Sequence, residues 1–369
     1  MSNLILFIIE ESFIQEEDNK MKVAVIGCGT IANNAHIPGY MANPDTEIKY
    51  FCDGAFEKAQ KAVEKYGCGI AVADYKEVLA DEEIEAVSVC TPNKMHSEVA
   101  IAALRAGKHV LCEKPAGRVY EDALEMQKAQ HETGKILNIG VVNRFNTNVN
   151  KLKELIDAGE LGEIYQVYVS FRKGRSIPGL GGAFTTKAIA GGGVNIDWGV
   201  HFFDIVMYCC GDPKTLSVSA ETFSKLGNPI EDYVYVKMWA GPETPGGTYD
   251  VEEGVTGMIR TEGPTITFNG AWAQNVFVDE MYIDFMGTKG GVRLQYGKEF
   301  TLYGTKNGML TTTTFQNKSE DMFQKEIDAF VNCIKSGEKI QSNIDTNIIT
   351  AQMMDAIYRS AEEHKEIRL

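Results

Sequence analysis

The chain has 369 residues, 44% of them hydrophobic, which is room for two domains with packed cores. Its net charge of −15 repels nucleic acid and anionic lipid, so neither is an expected partner. A neutral or cationic small substrate suits that surface, whereas an anionic one needs a local basic patch.

Residues 1–20 read as an N-terminal extension. Residues 4–9 are apolar, and acidic residues follow at 10, 11 and 16–18. The run is too short for a membrane helix, which needs ~20 residues. It also lacks the basic start of a signal peptide, so a cytoplasmic location is expected. The first domain is expected over 21–143. Strands at 22–26, 48–52, 86–90, 109–112 and 136–142 alternate with helices at 56–66, 97–106 and 120–133. Short apolar strands alternating with helices make a parallel, doubly wound sheet of the α/β class. The pattern changes in the second domain, 144–369. A helix at 149–158 precedes strand-like runs at 165–171, 216–223, 233–239, 255–261, 265–272 and 281–285, with Gly and Pro between them. That predicts a mostly antiparallel sheet. Two helices close the chain, at 319–336 with Ser319 as N-cap and at 343–363.

The eight cysteines form no CxxC pair and sit mostly in apolar runs, so they read as small buried hydrophobes in a reducing compartment. No His, Cys and carboxylate cluster has ligand spacing, so no metal is expected.

Gly27-x-Gly29-x-x-Ala32 follows the first strand and opens a helix. Gly27 permits a tight turn, Gly29 lets backbone approach a pyrophosphate, and Ala32 lets helix and strand pack closely. The N–H groups of Thr30, Ile31 and Ala32 then face the phosphates. Asp53 ends the next strand, where a carboxylate binds both ribose hydroxyls and repels a 2′-phosphate. Gly54, Ala55 and Phe56 supply no arginine for that phosphate, so NAD is favoured over NADP. Ligands bind outside the carboxyl ends of such strands, which brings Thr91, Pro92, Asn93, Glu113, Lys114 and Pro115 to the same crevice. His96 either caps its helix or lines the nicotinamide pocket, with the structural role preferred.

Thr91-Pro92-Asn93-x-x-His96, the segment Ala106–Pro115 ending Glu113-Lys114-Pro115, and Gly191-Gly192-Gly193-x-x-x-Asp197-x-Gly199-x-His201-x-x-Asp204 together resemble the signatures of the Gfo/Idh/MocA family, the glucose–fructose oxidoreductase and inositol dehydrogenase group. Gly287-Thr288-Lys289-Gly290-Gly291 and Ala356-Ile357-x-x-Ser360-Ala361 match as well. The resemblance implies a Rossmann domain, a second α/β domain with an open sheet, and a homodimer, homotetramer or larger homo-oligomer. It implies Lys114, Asp197 and His201 as catalytic residues, Asn143 at the cofactor, and a pyranose, cyclitol or glycoside hydroxyl as substrate. Asn195 departs from the usual aliphatic residue and marks a different substrate face.

Oxidising a hydroxyl requires a proton acceptor with a pKa near the working pH. His201 suits that role, with Lys114 hydrogen-bonding the substrate oxygen, and the reverse assignment stays open. At i, i+4 on a helix, Asp197 and His201 would share a face and touch. Asp204 reads as structural. The Gly-rich stretch 172–193 is expected to cover the substrate with Arg172, Arg175 and neighbours, or to make a sheet or oligomer contact. Its wording, Ile177-Pro178-Gly179 through Gly181–Thr185, resembles members acting at the sugar C3. Two rivals remain: a glycosidase that keeps NAD bound, and a non-enzymatic NAD-binding regulator.

Overall fold

The computed structural model describes residues 20–369 apart from Val236, Lys237, Trp239 and Ser319. The expected extension therefore lies outside the described residues except for Lys20. In the first sheet, β1 (Met21–Ile26), β2 (Thr46–Cys52), β3 (Ile70–Val72), β4 (Ala86–Val89), β5 (His109–Glu113) and β6 (Leu137–Gly140) pair in parallel in the order 3-2-1-4-5-6. Both faces of β4 and β6 are buried, which is why these strands read as continuous apolar runs. The order reverses between β1 and β4, and that reversal opens a crevice at their carboxyl ends.

A π-helical turn, Ala32–His36, leads into α1 (Ile37–Ala42). Next come α2 (Phe56–Tyr66), α3 (Tyr75–Ala80), α4 (His96–Arg105), α5 (Tyr120–Thr133) and α6 (Thr147–Asp157). Both β3 and α3 are too short for periodicity to reveal. The Asp74 side chain nevertheless caps α3 by accepting the Lys76 N–H.

The second sheet has nine strands. They are β7 (Ile164–Arg172), β8 (Thr215–Phe223), β9 (Gly254–Thr261), β10 (Thr265–Ala271), β11 (Glu280–Gly287), β12 (Gly290–Gln295), β13 (Phe300–Lys306), β14 (Met309–Phe315) and β15 (Ile367–Arg368). All pair antiparallel except β7 with β10. Their inner residues, such as Val169, Phe171, Ile259 and Phe285, share one core with the helix α8 (Val200–Cys209). The short α7 (Lys187–Ala190) lies in the Gly-rich stretch.

The strand expected at 233–239 is not formed by its described residues. Tyr233 and Tyr235 follow a 3₁₀ turn, Ile230–Asp232, and their rings stack 6.1 Å apart. The aromatic alternation serves ring packing rather than a ladder. The expected Ser319 cap lies outside the described residues. The helix α9 (Met322–Ser336) instead begins on Asp321, which accepts from Phe323 and Gln324 N–H.

Helix α9 and the final helix α10 (Ile344–Glu363) return to the first sheet. Ile327, Phe330 and Val331 join Val23, Val25 and Tyr40 in one core, and Ile344 joins Val87, Val110 and Met126 in another. Each such buried side chain contributes roughly 1.5–3 kcal/mol. A buried ion pair ties the same regions together. Arg144 holds Asp204 through Nε at 3.0 Å and Nη2 at 2.8 Å, with both side chains 1% exposed. Arg144 also donates to Gln341 O and Thr346 Oγ1. Asp204 is thereby held inside the protein by Arg144.

Removing one partner strands the other as a buried, uncompensated charge. Arg144→Ala is expected to lower unfolding free energy by about 3–5 kcal/mol in urea titration. A change under about 1 kcal/mol would contradict this account.

Candidate active site

The turn after β1 meets the conditions for a dinucleotide. Gly27 has φ of 95°, and a Cβ there would sit 2.4 Å from Cys90 O, so only glycine fits. At Gly29 a Cβ would meet nothing within 4 Å, which leaves its backbone facing open space. The first N–H groups of the following helix, from Thr30 to Ala32, lack acceptors one turn back. Asp53 stands at the end of β2, its carboxylate accepting from Cys28 N–H at 2.9 Å and Ala55 N–H at 2.9 Å. Thr91, against the Gly27 turn, has its Oγ1 buried without a hydrogen-bond partner among the described residues. An orphaned hydroxyl there fits a polar ligand. These residues suit NAD.

Other motif residues turn elsewhere. Asn93 donates to Ala190 O at 2.8 Å, fastening the Gly-rich stretch to the first domain. Both His96 ring nitrogens meet backbone oxygens, of Pro115 and Thr91, each at 2.9 Å. His96 thus staples Thr91-Pro92 to the peptide after Lys114. The Glu113 side chain is buried against His36.

Lys114 leaves the end of β5 and reaches the second domain. Its Nζ lies 3.6 Å from Asp197 Oδ1 and 3.4 Å from Asp197 O. Asp197 Oδ2 also accepts from Trp272 Nε1 at 3.3 Å. His201 Nδ1 lies 3.3 Å from Asn143 Nδ2, and the same amide donates to the Tyr296 hydroxyl. Lys114, Asp197, His201 and Asn143 therefore converge, joined by Trp272 and Tyr296.

Asp197 and His201 make no hydrogen bond to each other, contrary to the i, i+4 expectation. A second π-helical turn, Asn195–Gly199, precedes α8. Its i→i+5 spacing breaks the register that would stack them. Asp197 consequently faces Lys114, and His201 faces Asn143.

Burial raises the Asp197 carboxyl, although Lys114 and Trp272 pull it down. Burial, with the Lys114 charge, holds His201 well below the usual imidazole value. His201 is thus neutral near pH 7.

The glycines before this turn are explained by two close approaches. A Cβ on Gly193 would lie 1.9 Å from Glu252 O, and one on Gly192 2.0 Å from Tyr358 Oη. The buried Glu252 carboxylate accepts the N–H of Gly193 and Asn195 and the Tyr358 hydroxyl. It therefore caps the segment that carries Asp197.

Residues 21–141 match the family model described as an oxidoreductase family with an NAD-binding Rossmann fold, and residues 149–293 match the GFO/IDH/MocA C-terminal domain. The chain belongs to the Gfo/Idh/MocA oxidoreductase family. It is 32% identical to D-glucoside 3-dehydrogenase of Escherichia coli K12, over 95% of this chain and 97% of that one. It is 25% identical to myo-inositol 2-dehydrogenase of Thermotoga maritima, over 95% and 98%. A solved levoglucosan dehydrogenase in complex with NADH and levoglucosan superposes with a TM-score of 0.81 at 21% identity, covering 95% of this chain and 99% of that one. The chain is an NAD-dependent oxidoreductase.

The residues expected at the substrate are less uniform. Arg172 is paired with Glu280, at 2.7 and 3.0 Å. Arg175 is exposed and holds Gln274 O and Asn275 Oδ1. Both guanidinium groups are occupied in shaping the loop between β10 and β11. Asn195 is fully buried, with its side chain beside the Tyr358 hydroxyl. Its oxygen lies where a Cβ on Gly199 would meet it at 2.9 Å. Lys173, by contrast, stands over the Trp198 ring at 5.7 Å.

Sequence reasoning missed Trp272, Tyr296 and Glu252, which arrive from strand ends far along the chain. Their one visible signal was aromatic or acidic character beside a strand boundary.

Two outcomes follow from this geometry. Asp53→Ala is expected to weaken NAD binding by about 10–100-fold by calorimetry, the worth of lost charge-assisted hydrogen bonds, and to narrow the preference over NADP. Unchanged discrimination would remove Asp53 from the ribose site. The second concerns pH. Burial depresses His109 to about 4, with Lys135 adding to the effect. The folded state then binds fewer protons than the unfolded state below the unfolded value of ~6.5. Stability is full above pH ~6.5 and is lost as pH falls toward 4. His109→Gln, which keeps an acceptor for Ile136 N–H, is expected to flatten that slope in urea titrations. An unaltered slope would show that His109 stays uncharged in both states.

Proposed function

We propose that the chain oxidises a secondary hydroxyl of a sugar, cyclitol or glycoside to a ketone, with the C3 position of a glucoside as the finer assignment. One observation carries the reaction: Lys114, Asp197 and His201 converge beside the crevice of an NAD-binding fold. Support for the finer assignment comes from the 32% identity to the glucoside 3-dehydrogenase along nearly the full chain.

NAD, held by the Gly27–Ala32 turn and Asp53, would supply the acceptor for the hydride of the hydroxyl-bearing carbon. What remains for the chain is the hydroxyl proton. Asn143 presents its amide N–H to His201 Nδ1. The proton of the neutral ring then sits on Nε2, which donates to the substrate oxygen. That favours the reverse of the first assignment. Lys114 Nζ, as the uncharged amine, takes the hydroxyl proton, and Asp197 holds the group in place and pairs with the ammonium that results. Trp272 fixes the second Asp197 oxygen, so the carboxylate cannot swing away from Lys114. The Tyr296 hydroxyl, on the same Asn143 amide, supplies a further group for a sugar hydroxyl.

Lys114→Met is expected to reduce kcat by ~10²–10⁴ while NAD still binds, the usual contribution of a general acid or base. Assays should present a panel of glucosides, free sugars and cyclitols with NAD, reading both NADH and product. NADH formation with a 3-keto product supports the assignment. Release of free sugar without NADH favours a glycosidase that retains its cofactor. Turnover by Lys114→Met within about threefold of the unaltered chain would remove the lysine from the chemistry.

A further inference from the structure

Behind Lys114 lies a buried polar chain that the reaction itself does not use. His36, the last residue of the first π-helical turn, is 1% exposed. Its Nε2 lies 2.9 Å from Glu113 Oε1, and its Nδ1 lies 3.0 Å from Ser88 Oγ. The Tyr40 hydroxyl lies 2.8 Å from the same Ser88 oxygen. Glu113 Oε2 accepts the backbone N–H of Lys114 at 3.2 Å.

Burial pushes the Glu113 carboxyl up, but the hydrogen bond from His36, with the Lys114 charge, holds it below its ordinary value. Glu113 is therefore an ionised acceptor. One direction of donation then satisfies every group. Tyr40 donates to Ser88, Ser88 to His36 Nδ1, His36 Nε2 to Glu113, and the Lys114 N–H to the second carboxylate oxygen. Glu326 approaches from α9, its carboxyl raised well above the ordinary value by burial and then by Glu113.

A polar chain this deep is a poor stabiliser, because apolar residues of equal volume would fill the space at less desolvation cost. Its ends suggest why it is there. One end sits on the helix that opens at Gly29. The other is the peptide of Lys114. A π turn at His36 is an irregularity of the kind found at functional sites.

We propose that Tyr40, Ser88, His36 and Glu113 are positioning residues that couple the cofactor-binding helix to the Lys114 peptide. When Gly27–Ala32 closes on a dinucleotide, the helix carries His36, and His36 sets Lys114 through Glu113. The inference rests on the NAD reading above.

The test is hydrogen–deuterium exchange across 110–119 in the full chain, with and without saturating NAD, beside kcat and the NAD Kd. The unaltered chain is expected to gain protection at Lys114, Ala116 and Gly117 when NAD binds. Glu113→Gln is expected to lose that gain, with kcat at least ~10-fold lower and NAD Kd within about threefold. Ser88→Ala is expected to show a smaller loss of both, and Tyr40→Phe the smallest. The gradient toward Lys114 is what a merely structural role would not produce. If Glu113→Gln does not fold, Ser88→Ala carries the test. Full NAD-induced protection and unaltered kcat in Ser88→Ala, or in a folded Glu113→Gln, would overturn the proposal. Failure of the unaltered chain to bind NAD would instead overturn the cofactor reading, a separate result visible in the first titration.

Discussion

Arg144 and Asp204 meet at the join between the two domains, where neither side chain reaches water. Arg144 follows the last strand of the first sheet, and Asp204 sits on α8. Thr346 and Asn347 of α10 bind the same pair from a third direction. Lys114 comes from one domain and Asp197 from the other, so their 3.6 Å separation depends on how the domains are held. A buried ion pair is a costly way to gain stability. Its geometry is strict, however, and a strict join is what a site divided between two domains requires.

The two π turns act on the same problem at shorter range. Each adds a residue to a helix next to the crevice. One rotates His36 toward Glu113. The other sends Asp197 to Lys114 and leaves His201 with Asn143. Glu252 and the close approaches at Gly192 and Gly193 hold the second irregularity in place.

Much of this was legible from local pattern. The first sheet could be read because its strands are buried on both faces and punctuated by Gly27, Asp53, Pro92 and Pro115. Motif resemblance singled out Lys114, Asp197 and His201, and the fold places Lys114 against Asp197 and Asp204 against Arg144. Their partners were not legible. A helical i, i+4 rule cannot foresee a π turn, and the Asp197 and His201 side chains take separate hydrogen-bond partners. Trp272, Tyr296 and Glu252 become site residues only once β10, β12 and the segment before β9 are laid beside α8. The tyrosines at 233 and 235 show the opposite error, since aromatic alternation without a neighbouring strand gave stacking instead of a ladder. Arg172 and Arg175 carried the right chemistry for hydroxyl binding, but Glu280 and the loop at 274–275 engage them first.

The return of α9 and α10 to the first sheet bears on how the chain is made. Val23, Val25 and Tyr40 emerge from the ribosome early, yet Ile327, Phe330 and Val331, which cover them, follow only after β14. The nucleotide-binding sheet must therefore wait, with apolar surface uncovered, while β7 to β14 are translated. Contacts this distant in sequence slow folding and prolong exposure to aggregation. An abundant acidic surface, repelling other copies during that interval, is a useful property for a chain assembled in this order.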